Sequence, residues 1–247
     1  MTGSTSGLGK EIARACASEG ARIAVTGRNI ERGEQLASEL TSCGAQALFI
    51  PADLRTEVGI RNLVERCQRD LGTVTVLVNN AVSHEAIDLD GTIVDVDRST
   101  WQSALSIDVL AAAELCKLLV PGMVEAGRGS IVNITAIAAE FGRRGLSVYS
   151  SCKAALTVMA KQISADFGRF GVRANVVQPG YIRHEIRDAD NDEARETALA
   201  QQRLTRMVEP HDVAMAVVYL ASREAEVVTG VVLPVDAGTS CVVPTVV

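Results

Sequence analysis

Short unbroken runs of apolar residues take turns along the chain with longer stretches in which apolar positions recur every three or four residues. The runs at 22–26, 47–50, 74–78, 130–136, 173–178 and 230–236 have the length and character of buried strands. The stretches at 30–40, 58–70, 99–126, 154–160 and 210–220 carry helical spacing. Strands alternating with helices predict an α/β domain built on a doubly wound parallel sheet flanked by helices. Ligands bind such sheets at the carboxyl ends of the strands, and the unusual residues of this chain collect there. One segment breaks the rhythm. Residues 183–207 are charged and Ala-rich with few large apolar side chains, and read as a mobile lid or as a solvated helix.

Composition narrows the picture. With 247 residues and 47% apolar content, the chain supports one domain, 1–247, with a substantial core. No linker-like stretch or repeat divides it. A net charge of −6 with no Lys/Arg block excludes a nucleic-acid groove or a polybasic membrane patch. No apolar run reaches the roughly 18–20 residues that span a bilayer, and no signal peptide opens the chain. The cysteines (16, 43, 67, 116, 152 and 241) are scattered without CxxC spacing. Neither a metal site nor a disulfide framework is expected, and free thiols in a reducing cytoplasm are.

Chemistry concentrates at Tyr149 and Lys153. Residues four apart lie over one another on a helix face, which brings the ammonium close to the phenol. A free tyrosine ionises near pH ~10, and a neighbouring positive charge favours the phenolate and lowers that value. Such a group gives or takes a proton at a carbonyl or alcohol oxygen. At the other end of the chain, Gly3, Ser4, Thr5, Ser6, Gly7, Leu8 and Gly9 form a glycine-rich turn running into a helix. A helix start of that kind presents N–H groups and a positive dipole end to a pyrophosphate. At the end of the 22–26 strand, where an acidic residue would hold a ribose 2′-hydroxyl, stand Gly27 and Arg28. The guanidinium suits a 2′-phosphate, so NADP(H) is favoured over NAD(H).

These features, in their order and spacing, resemble the short-chain dehydrogenase/reductase family over essentially the whole chain. The matching positions are residues 2–9, Asp53-Leu54, Asn79-Asn80-Ala81, Tyr149 with Lys153, Pro179-Gly180, and Val228-Thr229-Gly230 with Asp236. The resemblance implies a Rossmann-type sheet of strand order 3-2-1-4-5-6-7 and hydride transfer between NAD(P) and a small alcohol or ketone. Tyr149 would be the acid/base, and Lys153 would hold the nicotinamide ribose. The glycine-rich turn, Asp53 and Leu54 at the adenine, and Asn80, Ala81, Pro179, Gly180 and Ile182 would line the cofactor, with Asn79 beside it. A homotetramer or homodimer is the implied assembly.

The chain departs from the family pattern in five places. Ala136 stands where a serine would polarise the substrate oxygen, and a methyl group donates no hydrogen bond. Losing one such donor typically costs ~10²–10³ in rate. Thr135, on the opposite strand face, is a poor substitute; Ser147 or a water are the other candidates. Asp108 replaces the asparagine of the catalytic set, and a buried carboxylate there can pair with Lys153. Val82 replaces a glycine near the cofactor, and His184 a threonine. Finally, the chain begins where the first, central strand should end. That leaves a gap of two strand spacings of about 4.7–4.9 Å, which points to a start codon placed too late. Ala136 and Asp108 keep a second function open: a dinucleotide-binding module of the same fold without turnover. Elimination or dehalogenation on this fold is a third.

Overall fold

The computed structural model describes residues 1–183 and 192–241. Among these residues are six strands, each paired in parallel with its neighbours: β1 (Ile23–Gly27), β2 (Ala47–Pro51), β3 (Val76–Asn79), β4 (Gly129–Ile134), β5 (Val172–Pro179) and β6 (Val232–Val235). They form two hydrogen-bonded groups, β1-β2 and β3-β4-β5-β6. Strand β4 is buried at every position, as befits the middle of a sheet covered on both faces. It ends at Ile134, two residues short of the sequence expectation, because Ala136 leads into a 3₁₀ turn at Ile137–Ala139.

Helices α3 (Glu57–Leu71), α6 (Ala111–Glu125) and α7 (Ser147–Phe167) cover one face through Leu63, Leu115, Leu119, Met123 and Ile163. Helices α1 (Gly7–Ser18) and α9 (Pro210–Ala221) cover the other through Ile12, Val213, Val217 and Leu220. Helix α2 (Ile30–Ser42) closes a smaller core over β1 and β2 with Leu36, Leu40 and Phe49. The single long helix expected over 99–126 is instead α5 (Arg98–Ala104), a π-helical turn at Leu105–Leu110, and α6. The short α4 (His84–Asp88) precedes it, and α8 (Asp192–Gln201) lies in the stretch read as a lid.

Between β1 and β3, where a central strand was expected to be missing, residues 1–4 run. The Met1 amino group donates to Ala24 O at 3.0 Å, Thr2 N to Val78 O at 3.1 Å and Ser4 N to Thr26 O at 3.0 Å. These four residues therefore stitch the carboxyl ends of the two strand groups together. Towards the amino ends of the strands a mainly apolar cavity of about 40 Å³ remains, lined by Met1, Ala24, Leu63, Val64, Leu77 and Leu119 among others.

The base of the 183–207 excursion is pinned by an isolated parallel bridge between Ile182 and Val208, with Arg183 N donating to Val208 O at 2.8 Å. His184 and the rest of 184–191 lie outside the described residues. All six cysteines are free. Among the described residues there is no cluster suited to a metal ion, and no helix is long and apolar enough to cross a membrane.

Candidate active site

Helix α7 starts beside the carboxyl end of β4 and carries Tyr149 and Lys153 in its first turns. The Lys153 side chain, 3% exposed, runs inward. Its ammonium lies 5.5 Å from the centre of the Tyr149 ring and donates to Ile134 O at 3.3 Å. That carbonyl, at the last residue of β4, holds the charge in place beneath the phenol, which is itself half-buried.

Asp108 enters the same region from the π-helical turn. The extra residue of a π turn rotates the helix face locally, and here it coincides with a polar side chain buried to 3% exposure. One carboxylate oxygen accepts the Ser83 N–H at 2.8 Å. Burial pushes the Asp108 carboxyl above its ordinary range, opposed by Lys153, the Ser83 N–H and His84. Asp108 and Lys153 act on one another through space and form no direct ion pair.

Ala136 presents its half-buried methyl group just past β4, before the 3₁₀ turn that packs on α7. Neither neighbouring hydroxyl stands in for the missing donor. Thr135 is buried, and its hydroxyl donates to Val177 O at 3.4 Å. The Ser147 hydroxyl donates to Gly91 O at 2.8 Å.

The glycine-rich turn sits at the carboxyl ends of β1 and β3. Gly3 and Gly7 have φ of 61° and 51°, the left-handed region that favours glycine. Gly9 is fixed by space: a Cβ there would meet Gly3 O at 2.1 Å. At Gly7 a Cβ would meet nothing within 4 Å, so the turn is open towards a ligand there. The N-cap Ser6 makes no side-chain cap to α1, which leaves the helix start available to an anion. These features fit a pyrophosphate. Ser4, by contrast, turns its hydroxyl inward, donating to Met1 O at 3.0 Å and accepting from Thr26 N at 2.8 Å. Thr5 lies against Gly27, and Leu8 packs partly into the core.

Further along the same edge, the Asn80 side chain donates to the carbonyls of Thr2 and Gly3, both at 3.1 Å. The Thr2 hydroxyl accepts the N–H groups of Asn80 and Ala81 at 2.9 and 3.0 Å. Asn79 donates to Asn133 Oδ1 across β3 and β4 at 2.9 Å. Asp53 is gripped by Arg55 at 2.6 Å, which holds its carboxyl down at about 2, while Leu54 is packed against the core. Arg28 is exposed and, among the described residues, makes no ion pair or hydrogen bond. Gly180 N donates to Val235 O at 3.0 Å, directly after Pro179 closes β5, and a Cβ at Gly180 would meet Asp236. Ile182 lies at the base of the 183–207 excursion.

Two roles at this edge escaped the sequence reading. The Thr2 hydroxyl joins the glycine-rich turn to β3, and Asp90 caps α7 from a remote loop. Asp90-Gly91 carries a turn signal, but nothing local says that it caps a helix more than fifty residues away.

A family model described as enoyl-(acyl carrier protein) reductase matches residues 3–240. Nodulation protein G of Rhizobium sp. (strain N33) is 32% identical over 98% of this chain and 96% of its own length. The cis-4-hydroxycyclohexanecarboxylate dehydrogenase of Sinomonas cyclohexanicum is 31% identical over the same shares. Among solved structures, a gluconate 5-dehydrogenase from Burkholderia cenocepacia J2315, in complex with NADP and tartrate, superposes with a TM-score of 0.89 at 26% identity. That match covers 98% of this chain and 94% of the other.

Proposed function

The chain belongs to the short-chain dehydrogenase/reductase family of oxidoreductases, and on that premise we propose that it interconverts a small alcohol and its ketone with NADP(H), using Tyr149 as acid/base. The observation that carries the reading is the placement of Lys153: a buried ammonium, fixed by Ile134 O, beneath the phenol one helical turn away. When bound, the dinucleotide supplies or accepts the hydride. In the reducing direction Tyr149 Oη gives its proton to the ketone oxygen, and Lys153 offers a positive charge to the phenolate left behind. The start of α1 would hold the pyrophosphate, with Asn80 and Ala81 beside it and Pro179, Gly180 and Ile182 on the far side. Arg28, exposed and, among the described residues, held by no hydrogen bond, would take the 2′-phosphate, and the NADP in the gluconate 5-dehydrogenase complex supports that preference. Exposed Leu105 and Leu110, on the π turn that packs against α7, and Val158 on α7 itself support a homodimer or homotetramer.

One observation favours the second reading, a dinucleotide-binding module without turnover. The hydroxyls of Thr135 and Ser147, the two candidates to replace the missing serine, are already committed to backbone carbonyls. A single experiment separates the two. Ketone-dependent NADPH oxidation is followed for the wild type, Ala136→Ser and Tyr149→Phe, with NADPH binding followed by thermal shift. The oxidoreductase reading expects turnover that rises ~10-fold or more in Ala136→Ser and vanishes in Tyr149→Phe with binding kept. Binding without turnover in every variant would establish the module.

A further inference from the structure

Helix α7 begins without a cap of its own, since its N-cap residue Leu146 makes no side-chain bond to the helix start. Its first N–H groups are met instead from the loop after α4. Ser147 N donates to Gly91 O at 3.3 Å. Val148 N donates to one carboxylate oxygen of Asp90 at 3.0 Å, and Tyr149 N to the other at 2.9 Å. Gly91 N adds a bond to the first oxygen at 2.8 Å, which fixes the carboxylate from its own side. The Ser147 hydroxyl, donating to Gly91 O, completes the clasp.

We propose that Asp90 is a positioning residue for Tyr149: its carboxylate clamps the first turn of α7 and thereby sets where the phenol stands. The second of these bonds is on the Tyr149 N–H itself, one covalent bond from the carbon that carries the side chain, so a shift of the clamp moves the phenol with it. The loop that carries Asp90 is anchored at its other end as well. Ala81 N is held by Thr2, Ser83 N by Asp108, and the Ser83 hydroxyl caps α4 at Ala86 N at 3.3 Å. One stretch of chain thus runs from the glycine-rich turn, past Asp108, to the backbone of Tyr149. The clamp's role in turnover rests on the reading of Tyr149 as acid/base; its role in holding α7 does not.

The test compares wild type, Asp90→Ala and Asp90→Asn by amide hydrogen exchange at Val148 and Tyr149, by NADPH affinity, and by kcat and KM. Asn keeps one accepting oxygen but turns an NH2 group towards the remaining N–H, so it stays close in shape and carries the test should Asp90→Ala fold poorly. We expect exchange at both amides to rise at least 10-fold in Asp90→Ala and by less in Asp90→Asn. NADPH affinity should change less than 2-fold, and kcat should fall at least 10-fold with KM nearly constant, because a misplacement of about 1 Å can cost ~10²-fold. Unchanged exchange at Val148 and Tyr149 would overturn the clamp, and raised exchange with kcat intact would overturn its positioning role. A wild type inert towards every ketone would count against the oxidoreductase reading alone, and the exchange arm would still decide the clamp.

Discussion

The carboxyl of Asp108 sets two large effects against each other. Desolvation disfavours its charge, while Lys153, the Ser83 N–H and His84 favour it, and desolvation wins. The folded state therefore releases this proton at a higher pH than the unfolded chain, whose carboxyl ionises near ~3.9. Its contribution to stability is full below that value and is lost as the pH rises through the folded one. Asp108→Asn keeps an oxygen for the Ser83 N–H and removes the charge. Its Tm should match the wild type near pH 4 and exceed it by a margin that grows towards pH 8. A margin that stays constant across that range would show that Asp108 is not ionising at a cost. Tyr149, Lys153, the glycine turn and Asp108 itself could be picked out from the sequence because each is a rare chemical choice at a motif spacing. The commitment of the Thr135 and Ser147 hydroxyls could not, since it depends on where Val177 O and Gly91 O end up in space.

Single elements show the same division between local pattern and spatial partner. The apolar spacing of 30–40 predicts α2 well, and Asn29 adds a real N-cap by accepting Arg32 N at 2.9 Å. Gly33 inside that helix looks like a weakness in sequence, because glycine costs up to ~1 kcal/mol relative to alanine there. In the fold it is a contact: a Cβ at Gly33 would meet the Phe49 ring at 2.1 Å, where α2 lies on β2. Phe49 is a buried aromatic ring with little freedom to retreat. Overpacking of this kind costs ~1–3 kcal/mol, so Gly33→Ala should lower the denaturation midpoint despite its better helix propensity. A higher midpoint would mean that the ring moves aside easily. The helix over 99–126 marks the opposite limit. Its periodicity hides one inserted residue, because the run 109–113 beside it is apolar on every face and leaves no polar stripe to mark the shift. The cap on α7 was equally hidden, coming as it does from Asp90.

For the molecule as a whole, the parallel sheet and the siting of chemistry at the strands' carboxyl ends follow from the alternation of strands and helices, while the strand order and the gap between β1 and β3 follow from the family resemblance. What the alternation could not show is how that gap is bridged: residues 1–4 hold the carboxyl ends together, and the cavity of about 40 Å³ lies below them. The Met1 ammonium is thereby buried against Ala24 O, and burial lowers its pKa from the ordinary 8.0. With the folded value depressed, the neutral amine's contribution is present above pH ~8 and is lost as the pH falls towards the folded value. Placing five or six β-branched apolar residues ahead of Met1 would move that charge outward, extend parallel pairing along β1 and β3, and fill the cavity with side chains. Burying two or three such side chains is worth several kcal/mol before the entropy of ordering them, and each net kcal/mol is ~2–4 °C in a domain of this size. The extended chain should therefore melt several degrees higher than the 247-residue chain, and lose the part of its pH dependence below pH ~8 that the amine contributes. An extension of equal length built from Gly and Ser relocates the charge without filling the cavity, so it should flatten the pH dependence and leave most of the Tm gain behind. Equal gains from both extensions would mean that the buried amine, not the unfilled sheet, is what weakens the centre of the fold.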